Sequence, residues 1–291
     1  MERQLFDQIV RRLQSLAKGT RTVSPSCRYT DSDVLRVYFW AVLHDRPMVW
    51  ACQKQNWPID LRRRPLISCS RLSRRLRSPT VIALLAALEE RIVRVRSDRG
   101  LVWILDGKPL PISGISTDRQ AGYGRAARSM AKGYKLHLLA GKQGQIAAWR
   151  IAPMNKDERV MGARLLREAQ IQGYVVADAN YDSNTLHKEC ANRELQLVVP
   201  RRYGPGKGTG HRVQAPGRLR SRELLEQSCS GLGQALLRQR SDIERLFGNL
   251  TNWGGGLTHL PPWVRTHRRV HRWVQAKLIL MALKQRLRAS T

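Results

Sequence analysis

Residues 101–111 read LVWILDGKPLP. Five apolar side chains, Leu101, Val102, Trp103, Ile104 and Leu105, run without a break into Asp106, Gly107 and Lys108. A short continuous apolar run bounded by Gly and Pro is the pattern of a strand buried on both faces, in the middle of a sheet. The run predicts such a strand ending at Asp106, which sets the carboxylate at the sheet's edge, where core gives way to water. Taken alone, an Asp opening a turn looks the same. The rest of the chain decides between the two.

Downstream of this run the pattern stays strand-rich. A polar stretch at 113–130, rich in Gly and Arg, reads as a loop. GYKLHLLAG (133–141) and QIAAWRIAP (145–153) read as a hairpin, and 155–170 as a helix with Val160, Leu165 and Leu166 inward. A third apolar run, 174–177, ends in Asp178. A helix through Arg193, capped by Asp182 or Ser183, leads to a short strand at 195–199. Residues 200–222, with Gly204, Gly206, Gly208, Gly210 and Gly217 among Lys and Arg, read as a mobile basic loop. One helix from Leu232 is expected to hold Leu236, Arg240, Ile243, Glu244 and Phe247, broken after Trp253. A last helix covers 263–286, with Val270, Val274, Leu278 and Met281 on its apolar face. Strands alternating with helices predict an α/β mixed sheet flanked by helices.

Upstream, the first 97 residues read as all-helical. Leu5, Ile9, Leu13 and Leu16 recur at helical spacing. Asp31 or Ser32 opens a helix to His44, Pro47 opens a short one over 48–55, Ser68 caps one over 69–77, and a long helix starts at Thr80. The helices near 48–55 and 69–77 are arranged like a helix-turn-helix. In that arrangement Arg71, Arg74, Arg75 and Arg77 face phosphates or guanine edges. A solvated basic face is the alternative for the same arginines.

The charge of the chain points to a partner. Lys and Arg number 52 against 22 Asp and Glu among 291 residues, a formal charge of +30. Self-repulsion on that scale calls for a polyanion, so nucleic acid is the default partner. No apolar run approaches the roughly 20 residues of a membrane span, and the opening MERQLFDQ lacks a signal peptide's apolar core. Five cysteines, Cys27, Cys52, Cys69, Cys190 and Cys229, never form a CxxC pair, which fits reduced thiols in a cytoplasm. The expectation is a cytoplasmic, nucleoid-associated protein with no membrane contact.

In so basic a chain, acids gathered at strand ends call for a cation between them. If the strands ending in Asp106 and Asp178 are neighbours, their carboxylates converge, and Glu244 on the inward side of its helix supplies a third. Oxygen ligands that leave positions for water and phosphate suit Mg²⁺ or Mn²⁺. Two such ions about 4 Å apart serve in-line phosphoryl displacement.

At these residues the sequence resembles the DDE transposases of bacterial insertion sequences, which have a ribonuclease-H-like catalytic core. LDGKPLPI around Asp106, KGYKLHLL (132–139), PMNKDE (153–158), VVADANYDS around Asp178 and RSDIERLFGNL around Glu244 carry the resemblance, which covers about 101–284. It implies Asp106, Asp178 and Glu244 as the metal-binding catalytic triad. Arg240, four residues before the Glu, matches an Arg that the family places there. Leu237 and Thr251 stand where many relatives have Tyr and Lys, seven residues either side of the Glu. The 66 residues from Asp178 to Glu244 are few for a large inserted β-domain. The implied activity is metal-dependent cleavage and strand transfer at the element's terminal repeats, by a homodimer on double-stranded DNA. Residues 1–97 would recognise the repeats, and 98–291 would form the catalytic domain. A catalytically inactive, transposase-derived DNA-binding protein is the first rival. A basic RNA-binding protein is the second and leaves the strand-end acids unexplained.

Other residues keep two readings. Lys132 and Lys135 either meet phosphate or line a solvated strand face. His137 serves structure or DNA contact more readily than metal. Asp157 and Glu158 suit a helix N-terminus, and Asp182 a cap. Trp253 and Trp263 suit packing better than base stacking. Glu223 and Glu226 are rival third acids beside the basic loop.

Overall fold

The computed structural model describes residues 2–17, 28–62, 65–94, 100–126, 129–142, 144–202, 213–226, 231–252 and 256–289. Cys27, Gly204, Gly206, Gly208, Gly210, Cys229 and Trp253, read above for thiol state, a basic loop and packing, lie outside them. The chain divides into two compact units. One comprises Met1–Val93, Asn249–Val264 and Arg272–Thr291; the other comprises Arg94–Gly248 and Arg265–His271.

The first unit is helical. Helix α1 (Glu2–Ala17) buries Leu5, Phe6, Ile9 and Leu13, the stripe its spacing dictates. Helix α2 (Asp31–Leu43) starts one residue earlier than expected. Thr30 is the N-cap, and Asp33 reaches back to the Thr30 N–H at 3.1 Å, completing a capping box. Its residues from Val34 to Leu43 are all buried. Short helix α3 (Met48–Ala51) gives way to 3₁₀ turns at Lys54–Asn56 and Ile59–Leu61. Helix α4 (Cys69–Arg75) stops two residues short of the expected 77, and α5 (Pro79–Ile92) begins on its proline, where a missing N–H is harmless.

In the second unit, β1 (Val102–Pro111) does not end at Asp106 but runs five residues beyond it. Its partner explains the length: β3 (Ser129–Gly141) pairs with it antiparallel from Trp103↔Gly141 to Pro111↔Gly133. The Ile112 N–H donates to Lys132 O, so by alternation the missing donors of Pro109 and Pro111 face the opposite side. The expected loop at 113–130 contains β2 (Gly122–Ala126), which pairs with the first half of β3, while β4 (Ile146–Pro153) pairs with its second half. Helix α6 (Glu158–Glu168) buries Met161, Leu165 and Leu166. Val160 is 52% exposed, not inward, because the buried arc runs through Met161 and Gly162.

Strand β5 (Gly173–Val176) lies parallel to β1, and β6 (Leu195–Val198) lies parallel to β5. Helix α7 (Asn184–Ala191) sits between them in sequence, capped by Ser183. Gly173 has φ +92, and a Cβ there would lie 2.4 Å from Leu101 O, so only glycine lets the strand start beside β1. The sheet order is β2-β3-β1-β5-β6, with β4 on β3. This mixed sheet with flanking helices is a ribonuclease-H-like arrangement.

Helix α8 (Pro216–Glu226) corrects the expectation of a loop through 222. Its buried Ser221 accepts the Val199 N–H at 3.2 Å, docking the helix on the end of β6. The expected single helix from Leu232 is two, α9 (Leu232–Arg238) and α10 (Ser241–Asn252). Helix α11 (His267–Ala289) starts four residues later than read and buries Val270, Val274, Leu278 and Met281 as expected.

From Arg272 onward, α11 belongs with the N-terminal helices. Arg272 donates to Leu76 O, Gln275 to Glu89, and Lys277 to Val42 O and Asp45. Trp263 is 37% exposed, so its packing is one-sided. Among the described residues no helix is long and apolar enough to cross a membrane, and Cys52, Cys69 and Cys190 are free thiols.

Candidate active site

Strand alternation divides β1 between two environments. Trp103 and Leu105 join Leu139, Leu165, Leu166, Val175 and Tyr181 in a core under α6. On the other face Val102 packs with Val176, Val198 and Leu236. Asp106 follows Val102 and Ile104 on that second face, at the point where the apolar row ends.

The parallel register of β1 and β5 sets Val102 opposite Tyr174 and Ile104 opposite Val176. Continued by two residues, it brings Asp178 level with Asp106. Asp178 caps the 3₁₀ turn Ala179–Tyr181, accepting the Asn180 N–H at 2.9 Å. Asp106 accepts the N–H of Gly107 at 2.7 Å. Burial raises its pKa to about 6, the Gly107 bond opposes that, and the charge of Asp178 adds to it. Arg240 pulls the other way and Glu158 raises it further. Burial of the carboxylate thus outweighs the positive charge that Arg240 supplies.

The opposite face of β1 carries polar groups without partners. His137 is fully buried with neither ring nitrogen bonded, and burial together with Lys135 pushes its pKa down to about 3. Lys135 is itself buried and ion-paired with Glu158, so it does not line a solvated strand face. A Cβ on Gly107 would lie 2.9 Å from Lys135 Cδ, and the glycine makes room for this packed row. The Tyr181 hydroxyl is buried without a hydrogen bond. Burial raises its pKa well above the ordinary value, and Glu158, Asp106 and Asp178 add to that. Its position was not singled out in the sequence, where the NYD of the Asp178 run was the one signal.

The expected constellation is gathered in part. Asp178 and Arg240 lie near enough to Asp106 for their charges to shift its pKa, in opposite directions. Glu244 is exposed in the first turn of α10, whose inward side chains are Ile243, Leu246 and Leu250. The break at Gln239–Arg240 leaves Arg240 outside α10, while Glu244 and Phe247, three residues apart, remain neighbours on it. Phe247 still reaches β1, where the Lys108 ammonium lies 5.9 Å from its ring centroid. Among the described residues no three His, Cys, Asp or Glu side chains form a metal-sized group.

The remaining candidates are dispersed. Lys132 donates to Ser116 O at 2.8 Å. Arg71, Arg74 and Arg77 are exposed, whereas Arg75 is tied to Asp31 at 2.6 Å and to Tyr29 O at 3.1 Å. Asp157 caps α6 as expected. Asp182 is not a helix cap but the partner of Arg218, at 2.6 and 2.7 Å. Glu223 is exposed and Glu226 pairs with Arg201 at 2.8 Å.

Residues 97–283 match the model of a family described as the transposase DDE domain. No curated protein matches the chain.

Proposed function

The chain belongs to the DDE transposases, the match covering well over half of it, and from this we propose that it cuts and joins DNA strands at the terminal repeats of its own insertion sequence. What supports the reading is that Asp178, two residues past the end of β5, lies close enough to Asp106 on the adjacent parallel strand for its charge to help raise the Asp106 pKa to about 6. Two carboxylates so placed, one already short of positive charge, fit a divalent cation of the Mg²⁺ or Mn²⁺ type, two ions being the family arrangement. Asp106 and Asp178 would hold it, with Glu244 arriving from α10. When bound, such ions supply Lewis-acid activation of the attacking water or 3′-hydroxyl and stabilise the leaving oxygen.

The chain's own residues set the rest. The Gly107 N–H fixes one oxygen of Asp106, and the Asn180 N–H fixes Asp178, so both carboxylates are oriented before substrate arrives. The Arg240 guanidinium offsets the charge of Asp106 and would meet an incoming phosphate. Lys108, whose pKa burial lowers, follows Asp106 by two residues and shares its face of β1.

A gel assay tests the proposal, with DNA carrying the element's ends and millimolar Mg²⁺. Asp106→Asn, Asp178→Asn and Glu244→Gln should each abolish cleavage with DNA affinity nearly unchanged, while Glu223→Gln and Glu226→Gln cut normally. Normal cutting by Asp106→Asn or Asp178→Asn would overturn the reading. Normal cutting by Glu244→Gln alone would remove that residue from the triad.

A further inference from the structure

The helical unit holds a cleft of about 500 Å³ walled by three tryptophans. Trp40 and Trp57 stack with centroids 4.8 Å apart and planes 19° from parallel. Trp50 lies 6.5 Å from Trp40 with planes only 14° apart, near the far end of ring-contact distances. The His44 ring stands across them, 4.2 Å from Trp40 at 68° and 5.3 Å from Trp50.

The slabs are fixed from behind. Trp40 Nε1 donates to Asn56 O at 2.9 Å and Trp57 Nε1 to Ala51 O at 2.8 Å, and both rings are buried against the edge of Phe6. The Asn56 side chain in turn holds Trp50 O at 2.8 Å. Trp50 itself is only partly buried and lines the cleft.

Shape and chemistry together select the occupant. A cage for a quaternary ammonium surrounds its cation with rings facing it from several directions. Here three indoles lie close to parallel, which suits a flat ring. His44 Nε2 is buried without a hydrogen bond, so a purely apolar ring would leave it unpaired. A heteroaromatic ring with donors and acceptors on its edge satisfies both features, and a chain of charge +30 draws in the polyanion that carries such rings.

We propose that this cleft receives one unpaired nucleobase of bound DNA, stacked on Trp50 with its edge toward His44. The proposal rests on the reading that the chain acts on DNA, but uses neither the acids nor a metal.

The test uses full-length protein in EDTA, where no strand is cut. The probe is a duplex with a single bulged 2-aminopurine, beside the same duplex with that base paired. Wild type should bind the bulged duplex more tightly and quench its 2-aminopurine emission several-fold. Trp50→Ala should lose at least about fivefold in affinity for the bulged duplex, the low end for one base–aromatic stack. Its affinity for the paired duplex should not change, and Trp50→Phe should retain most of the preference and show that the unit folds. Equal quenching by wild type and Trp50→Ala would overturn the proposal. So would displacement of the bulged probe by tetramethylammonium chloride where the same concentration of NaCl has no effect. Binding of both duplexes without preference would sink the cleft alone, whereas no binding of either would sink the DNA reading with it.

Discussion

Asp106→Asn should make the metal-free protein more stable while destroying its activity. The folded state raises this carboxyl from the ordinary 3.8 to about 6, first through burial and further through Asp178. A raised acid holds its proton more tightly folded than unfolded. Its contribution is therefore fully present at low pH and is lost as pH rises from about 4 through 6. A displacement of about two pH units corresponds to about 3 kcal/mol of destabilisation at neutral pH. The asparagine has no charge to bury, and its Oδ1 still accepts the Gly107 N–H, though about 1 kcal/mol more weakly than a carboxylate does. The net gain is about 2 kcal/mol, or a rise of about 4–8 °C in Tm, at pH 8 in EDTA. The gain should shrink through pH 6 and vanish near pH 4. Mg²⁺ at a hundred times its Kd should reverse the order, since it adds about 2.7 kcal/mol to wild type and little to the variant. Scanning calorimetry across pH 4–8, with and without Mg²⁺, measures all of this. A lower Tm for the variant at pH 8 in EDTA, or a gain equal at pH 4.5 and pH 8, would refute the reasoning.

Other outcomes are equally checkable. DNA affinity should fall steeply with salt, with a log–log slope of about −5 or steeper if six or more phosphates are neutralised, and a flat titration would contradict the charge argument. Replacing exposed Arg71 and Arg74 with Ala should erase preference for terminal-repeat DNA at unchanged Tm. Arg75→Ala should instead cost about 1–3 kcal/mol of stability, because it unties Asp31 and Tyr29 O. Burial alone would raise Asp182, yet nearby His187 and the forked bond from Arg218 hold its carboxyl well below the usual range. That stabilisation persists as pH falls until the folded carboxyl takes up its proton. Arg218→Ala should therefore move the acid-unfolding midpoint upward, and an unmoved midpoint would show the pair to be idle.

Much of the sheet was legible because burial on both faces writes a continuous apolar run, as at 101–105 and 174–177. Where β1 stops was not legible, because Pro109 is compatible with a strand once its open side has no neighbour. The GYGRA of β2 reads as loop since its glycines serve a contact made elsewhere in the chain. A Cβ at Gly124 would sit 2.5 Å from Met154 O, and sequence alone carries no trace of that carbonyl. Asp106 and Asp178 were singled out because each closes an apolar run, a local signal, although β1 itself continues past Asp106. Glu244 was read from a single helix running through Arg240, whereas its helix begins only at Ser241 and leaves the side chain exposed. Trp40, Trp50 and Trp57 drew no notice because nothing in their spacing announces three parallel rings.

The packing of Arg272, Gln275 and Lys277 against the first helices has a consequence for the order of events during synthesis. The helical unit closes only when residues from 272 onward have left the ribosome, on the order of ten to thirty seconds after residue 93 at ordinary elongation rates. Until then Asp45, Glu89 and the Leu76 carbonyl wait for partners that do not yet exist. The nascent chain therefore passes through a period in which its ribonuclease-H-like sheet is already emerging while the helical unit still lacks its last helix. A truncated message would release a chain whose helical unit lacks the partners of Leu76 O, Glu89 and Asp45.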